Sequence, residues 1–252
     1  MKLIWLTDTH LNLLTYPGRL DFYKKILKYK HDAILLTGDI AEGIETKNIL
    51  LEMVEIWQKP IYFVLGNHDY YDQTFLQTKK AMQTLNQKNK FLHWLPALDA
   101  ISLNDKTVLI GVDGWADGRY ANFFESTILL SDSTRIPELA AAKQNRTKLL
   151  KNMQALADAD ALCLEKKIKS FLKTETPKKI IVLTHIPPFP QAALNQGKVD
   201  SNWLPWMSSK ATGDIILSFA KKYPKINFLV LSGHTHEKTT VKILPNLKVK
   251  VG

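Results

Sequence analysis

The chain of 252 residues carries one cysteine, Cys163, so no internal disulfide can form and the core must be held by packing alone. A lone thiol in a helical stretch predicts a packed structural group and either a reducing compartment or indifference to redox. No apolar run is long enough to span a bilayer. The amino terminus passes from Lys2 through a short apolar run directly to Asp8, which leaves no room for a signal-peptide core. The expectation is a cytoplasmic protein with no membrane partner. Arginine is scarce too: Arg19, Arg119, Arg135 and Arg146 are the full set, while lysines carry most of a formal net charge of +10. Lysines on helix faces and helix ends predict a solvated surface, so nucleic acid is not the favoured partner, although the field would draw in an anionic substrate. Two catalytic devices are also missing. There is no G-x-S-x-G nucleophile elbow and no P-loop, which removes serine hydrolysis of that type and Walker-type nucleotide binding.

What the sequence does contain is one design used five times. Leu3 to His10, Ala33 to Asp39, Pro60 to Asp69, Ile180 to His185 and Ile226 to His236 are continuous apolar runs of strand length that end in Asp, Asn or His, often just after Gly or Thr. Runs apolar on both faces suit central strands covered on both sides. Polar residues at their carboxyl ends sit where α/β sheets place active sites. The five ends collect Asp8, His10, Asp39, Asn67, His68, Asp69, His185, His234 and His236.

Helical periodicity fills the gaps between the first three runs, over Leu20 to Lys30 and Glu45 to Gln58, and predicts a βαβαβ opening with parallel, right-handed crossovers. A further helix is expected over Asp72 to Gln87. Short strands at Phe91 to Leu95, Ala100 to Leu103 and Thr107 to Val112 then read as a meander. Glu138 to Lys173 is helical, in one piece or two, and Ala211 to Lys222 is another helix. A closing hairpin is expected around Pro245-Asn246. Residues 113–135 and 187–212 have no clean period and are expected as loops or a cap over the site, within a single domain spanning residues 1–252.

Asp8, His10, Asp39, Asn67, His185, His234 and His236 offer seven oxygen and nitrogen ligands. That is too many for one tetrahedral zinc and suits two transition ions sharing a bridge. The absence of thiolates argues against a structural zinc or iron-sulfur site, and four imidazoles argue against calcium. Manganese, iron, zinc or a mixed pair remain, as two divalent or mixed-valence ions. Such a pair lowers the pKa of a bridging water, so the expected nucleophile is a metal-bridging hydroxide acting on a phosphodiester or phosphomonoester. A phosphorylated small molecule or a phosphodiester is the expected substrate. The alternatives are a nuclease and a non-catalytic metal-binding scaffold.

Taken in order, Asp8-Thr9-His10, Gly38-Asp39, Gly66-Asn67-His68-Asp69, His185 and Gly233-His234-Thr235-His236 resemble the calcineurin-like metallophosphoesterase superfamily. The resemblance implies an α/β fold of two mixed β-sheets packed as a sandwich flanked by helices, in four layers. It implies that Asp8, His10, Asp39 and His236 hold one ion and that Asp39, Asn67, His185 and His234 hold the other. It gives His68 the leaving group or the phosphoryl oxygens, and Asp69 the task of orienting His68. Protein phosphatases of this superfamily carry arginines after the second and third blocks. Here Ile40-Ala41-Glu42 and Tyr70-Tyr71 stand instead, so a phosphodiesterase or broad phosphatase is the closer expectation.

Overall fold

Because the central strands are apolar on both faces, each sheet needs a cover on either side, and the structure supplies helices outside and the other sheet inside. The computed structural model describes all 252 residues. Its first part alternates β1 (Leu3–Leu6), α1 (Tyr16–Leu27), β2 (Ala33–Thr37), α2 (Glu45–Trp57), β3 (Ile61–Val64), α3 (Phe75–Lys88) and β4 (Leu92–Trp94). Strands β5 (Ile101–Asn104) and β6 (Thr107–Gly111) follow, then the one-turn helices α4 (Asp132–Arg135) and α5 (Pro137–Ala140) and the long α6 (Arg146–Thr174). After β7 (Lys179–Leu183) come a two-stranded ribbon, β8 (Leu194–Asn195) and β9 (Lys198–Val199), and two helices, α7 (Leu204–Met207) and α8 (Lys210–Lys222). The chain closes with β10 (Asn227–Ser232), β11 (Thr239–Leu244) and β12 (Leu247–Val251).

Strands β1 to β4 form one four-stranded sheet in sequence order, and the second sheet runs β11-β12-β10-β7-β6-β5. Between the sheets lies a thin apolar layer in which Leu35 and Val64 meet Leu109, Ile181, Leu183 and Leu231. The outer face of the first sheet packs on apolar stripes of α1, α2 and α3, through residues such as Ile26, Met53 and Met82. That of the second packs on α6 and α8 through Leu164, Ile168, Ile216 and Phe219. This is the expected four-layer sandwich. Truncating an inter-sheet residue such as Leu183 to alanine would cost about 2–5 kcal/mol by transfer and cavity terms together.

Two details differ from expectation. The first sheet is wholly parallel, so only the six-stranded sheet is mixed. The cause is β4, which pairs parallel to β3 instead of opening a meander; only β5 and β6 form an antiparallel hairpin there. Helix α3 carries the chain back across the sheet after β3, so β4 must arrive in the same direction as its neighbour. The closing hairpin of β11 and β12 is as expected, with β12 also parallel to β10. No helix is long and apolar enough to cross a membrane.

Cys163 is half-buried against the core of the second sheet, and Trp115 and Trp206 are core residues packed among apolar neighbours. All three are packing groups. Tyr70 and Tyr71 are both buried; Tyr70 donates to Asp113 at 2.6 Å, while the Tyr71 ring lies against His68 at 4.4 Å between centroids.

Candidate metal centre

In parallel register Leu6 is level with Leu36 and Thr37 with Val64, so Asp8, Gly38, Asp39 and Gly66 leave the first sheet together at its carboxyl edge. In the second sheet Leu183 is level with Leu231, which brings His185 beside Gly233 and His234. The backbone then turns sharply to aim side chains inward. Asp8, His10, Asp39, His234 and His236 all have positive φ, between 40° and 73°. Asp and His tolerate that left-handed region better than most residues, yet each instance still costs on the order of 1 kcal/mol. Hydrogen bonds hold them there: Asp8 N to the Gly38 carbonyl at 3.1 Å, His10 N to the Asp39 carbonyl at 3.0 Å, and His234 N to the Asp8 carboxylate at 2.8 Å. Gly66 and Gly233 are needed for close approach, since a Cβ at either would collide with the carboxylate of Asp39 or Asp8 respectively.

The side chains converge as two groups joined by one residue. Ligand atoms of Asp8, His10, Asp39 and His236 lie within 4.8 Å of one another, as do those of Asp39, His185 and His234. Asn67 joins the second group, its Oδ1 lying 3.1 Å from both His185 Nε2 and His234 Nδ1. All seven sequence-predicted ligands are therefore brought together. The outward ring nitrogens of the buried pair are committed. His185 Nδ1–H donates to the Thr37 carbonyl at 2.8 Å, and His234 Nε2–H donates to the Trp206 carbonyl at 3.1 Å. Each ring thus points its other nitrogen into the centre, where loss of any proton it carries would free a lone pair for an ion.

The inward nitrogens face one another in pairs. His185 Nε2 faces His234 Nδ1 at 3.3 Å, and His10 Nε2 faces His236 Nε2 at 3.3 Å. Burial raises the Asp39 carboxyl, but the charge and hydrogen bond of His185, with His68 and His234, more than offset it and hold the carboxyl below its usual range. Burial works against a charged His185, yet Asp39 pushes its pKa up to about 10. Burial and the His185 charge push His234 down to about 3. One proton is shared where positive charge is wanted. Carboxylate, amide oxygen and imidazole nitrogen suit transition ions of the manganese, iron and zinc kind, and an ion there would displace that proton.

His68 and Asp69 stand differently. His68 lies on the rim, with Nε2 3.9 Å from Asp39 Oδ2 and its ring against Tyr71 at 4.4 Å between centroids. Asp69 does not orient it. Its carboxylate accepts from the backbone of Ile40, Ala41 and Gly66 and from the Thr46 hydroxyl, at 2.7 to 3.1 Å, so it stitches the β2 and β3 loops together from below. Buried donors claimed both carboxylate oxygens before the imidazole could. The carboxylate beside His68 is Glu42, whose Oε1 lies 3.5 Å from Nδ1. Its position three residues after Asp39, at the end of Gly38-Asp39-Ile40-Ala41-Glu42, was the available signal. The Trp206 carbonyl left no such signal, because a backbone group has no residue type. Asp132, which accepts from Asn67 Nδ2 at 2.8 Å, was hidden in an aperiodic segment. Asp132 and Trp206, which touch Asn67 and His234, lie in residues 113–135 and 187–212 respectively.

Comparison with known proteins adds four findings. The calcineurin-like phosphoesterase family matches residues 1–238. The fold is similar to that of a phosphopantetheinyl hydrolase from Mycobacterium tuberculosis, with a TM-score of 0.67 and 12% identity over 99% of this chain and 88% of that one. It is also similar to a dimetal phosphatase from Danio rerio, with a TM-score of 0.61 and 12% identity over 100% of this chain and 86% of that one. No curated protein sequence matches the chain.

Proposed function

The chain belongs to the calcineurin-like phosphoesterase family, and from that premise we propose that it hydrolyses a phosphodiester with the help of two transition-metal ions. Asp8, His10, Asp39 and His236 would hold one ion, and Asp39, Asn67, His185 and His234 the other. The observation that carries this is the position of Asp39 in both donor groups. A metal pair there would supply Lewis acidity, acidifying water and neutralising charge on a phosphoryl group. The protein's own part is to exclude water from the buried half, to keep each imidazole nitrogen aimed inward, and to manage the proton. Hydrolysis adds the oxygen of water to phosphorus and breaks the bond to the leaving oxygen, which needs a proton. His68 is the group on the rim able to deliver it, with Glu42 beside its Nδ1 to balance the imidazolium.

A diester is favoured over a monoester because no arginine is free to grip a terminal dianion. Arg19 is paired with Glu52, Arg119 with Asp117 and Asp158, and Arg135 with Glu42 and Asp72, while Arg146 donates to the carbonyls of Phe123 and Ser126. The manganese-loaded protein assayed on bis(p-nitrophenyl) phosphate and on p-nitrophenyl phosphate tests both levels. A higher kcat/KM on the diester is expected; a preference for the monoester overturns the substrate class, and no hydrolysis of either overturns the activity.

A further inference from the structure

We propose that the single turn Asp132–Arg135 of the cap is the positioning element of this centre: Asp132 fixes which way round Asn67 sits, and Arg135 fixes His68. The inference rests on the function proposed above, in which Asn67 is a ligand and His68 a proton donor.

An asparagine amide is nearly symmetric in shape, so its oxygen faces the centre only if something outside demands the NH2. Asp132 makes that demand. It is half-buried, and its Oδ1 accepts from Asn67 Nδ2 at 2.8 Å and from the Tyr71 hydroxyl at 2.9 Å. A carboxylate has no proton to offer, so the reversed amide would set oxygen against oxygen and point its NH2 at His185 and His234. The orientation that makes Asn67 a ligand is therefore imposed by the cap.

Arg135, one turn along, closes a ring around His68. Its Nη1 donates to Glu42 Oε2 at 2.7 Å, and its Nη2 pairs with Asp72. Its guanidinium carbon lies 4.4 Å from the centre of the Tyr71 ring, and that ring lies 4.4 Å from His68 at an angle of 35°. Glu42, held by the guanidinium, presents its other oxygen to His68 Nδ1 at 3.5 Å. Both walls of the imidazole, the tyrosine face and the glutamate, are thus fastened to one side chain. The Arg135 carbonyl also accepts from Asp72 N at 2.7 Å, which pins the turn itself. Two carboxylates and an aromatic face already occupy the guanidinium, so it serves as a clamp and is not a substrate grip. A lysine cannot reproduce a planar fork that pairs at two edges while stacking.

The two arms are separable by measurement on the full chain. Calorimetric titration with Mn2+ reads the Asp132 arm. Asp132→Asn, similar in shape, offers Asn67 an amide that satisfies either orientation, so one of the two manganese sites is expected to weaken by about 10- to 100-fold, as for other outer-shell partners. The exchanged pair, Asn67→Asp with Asp132→Asn, has a carboxylate at the ligand position that no flip can spoil and is expected to recover that site. Wild-type affinity at both sites in Asp132→Asn, or no recovery in the exchanged pair, overturns this arm. Turnover of a series of aryl and alkyl phosphodiesters reads the other. Arg135→Ala and Arg135→Lys are expected to keep both manganese affinities and KM, and to lower kcat by about 10-fold or more with alkyl leaving groups but little with p-nitrophenolate. A uniform fall across the series, or none, overturns the arm. Wild-type protein that binds no manganese and cleaves no phosphoester would instead sink the function proposed above, leaving the distinction between the two failures clear.

Discussion

The two halves of the centre are built to different standards. In the buried half, His185 and His234 each have a backbone carbonyl on the outward nitrogen, and Asn67 has Asp132 behind it. In the open half, His10 and His236 make no such bond with their second nitrogens; they face each other, and the His236 side chain is 60% exposed. Asp8 is the better fixed member there, accepting from the Thr7 hydroxyl at 2.6 Å and from His234 N at 2.8 Å. Ligands whose geometry is settled before the ion arrives lose little entropy on binding it. The buried half should therefore bind first and hold longest, and the open half should be the exchangeable side facing substrate.

Asp39 belongs to both halves, so Asp39→Asn should erase the contrast between them. Both metal affinities and nearly all phosphodiester hydrolysis are expected to go, a larger loss than any other single change in the centre, and elemental analysis beside an activity assay checks it. Full activity in metal-free Asp39→Asn protein would refute the mechanism outright. His68 belongs to neither half. His68→Gln is expected to leave both affinities standing while slowing alkyl diesters by about 10²–10⁴-fold, the range for a general acid; an unchanged rate removes its role. A direct comparison of the halves comes next. His234→Ala should abolish the tighter of two manganese sites, whereas His236→Ala should weaken only the looser one, by about 10- to 100-fold. Equal effects would mean the halves are equivalent after all.

The smallest effect is in pH. His185 in the metal-free fold keeps its proton up to about pH 10, because Asp39 outweighs the cost of burial. An unfolded histidine loses its proton near 6.5. Metal-free stability from this pair is thus fully present below about 6.5 and is lost as pH rises through 10. Binding an ion expels the proton, so affinity at the buried half is expected to climb by about tenfold per pH unit up to that value, with one proton released. Calorimetry in buffers of different ionisation enthalpy counts it. His234, held neutral by burial and by the His185 charge down to about pH 3, should add no second proton near neutrality.

The contrast between the halves also explains what the sequence disclosed. Every residue that points at the centre was legible, because strand runs ending in Asp, Asn or His have few other uses when five of them occur in one chain. What stands behind those residues was not. Thr37 and Trp206 act through carbonyls, which any residue possesses. Asp132 and Arg135 sit in a stretch without period, and their partners are up to 93 residues away in the chain. The task that the resemblance implied for Asp69, orienting His68, is not the contact it makes, because the tight turn sends its carboxylate back under the β2 loop. The longer helices were legible from periodicity to within a few residues, whereas the one-turn α4 and α7, in aperiodic segments, were not. The direction of β4 was not, since three residues carry no mark of parallel or antiparallel pairing.

Anomalous diffraction from crystals soaked in manganese tests the central claim most directly. Two peaks are predicted, about 3.5–4 Å apart as in other two-metal sites, with the Asp39 carboxylate between them and the fuller occupancy on the side of His185 and His234. A lone peak outside these residues, or peaks that do not share Asp39, would contradict it.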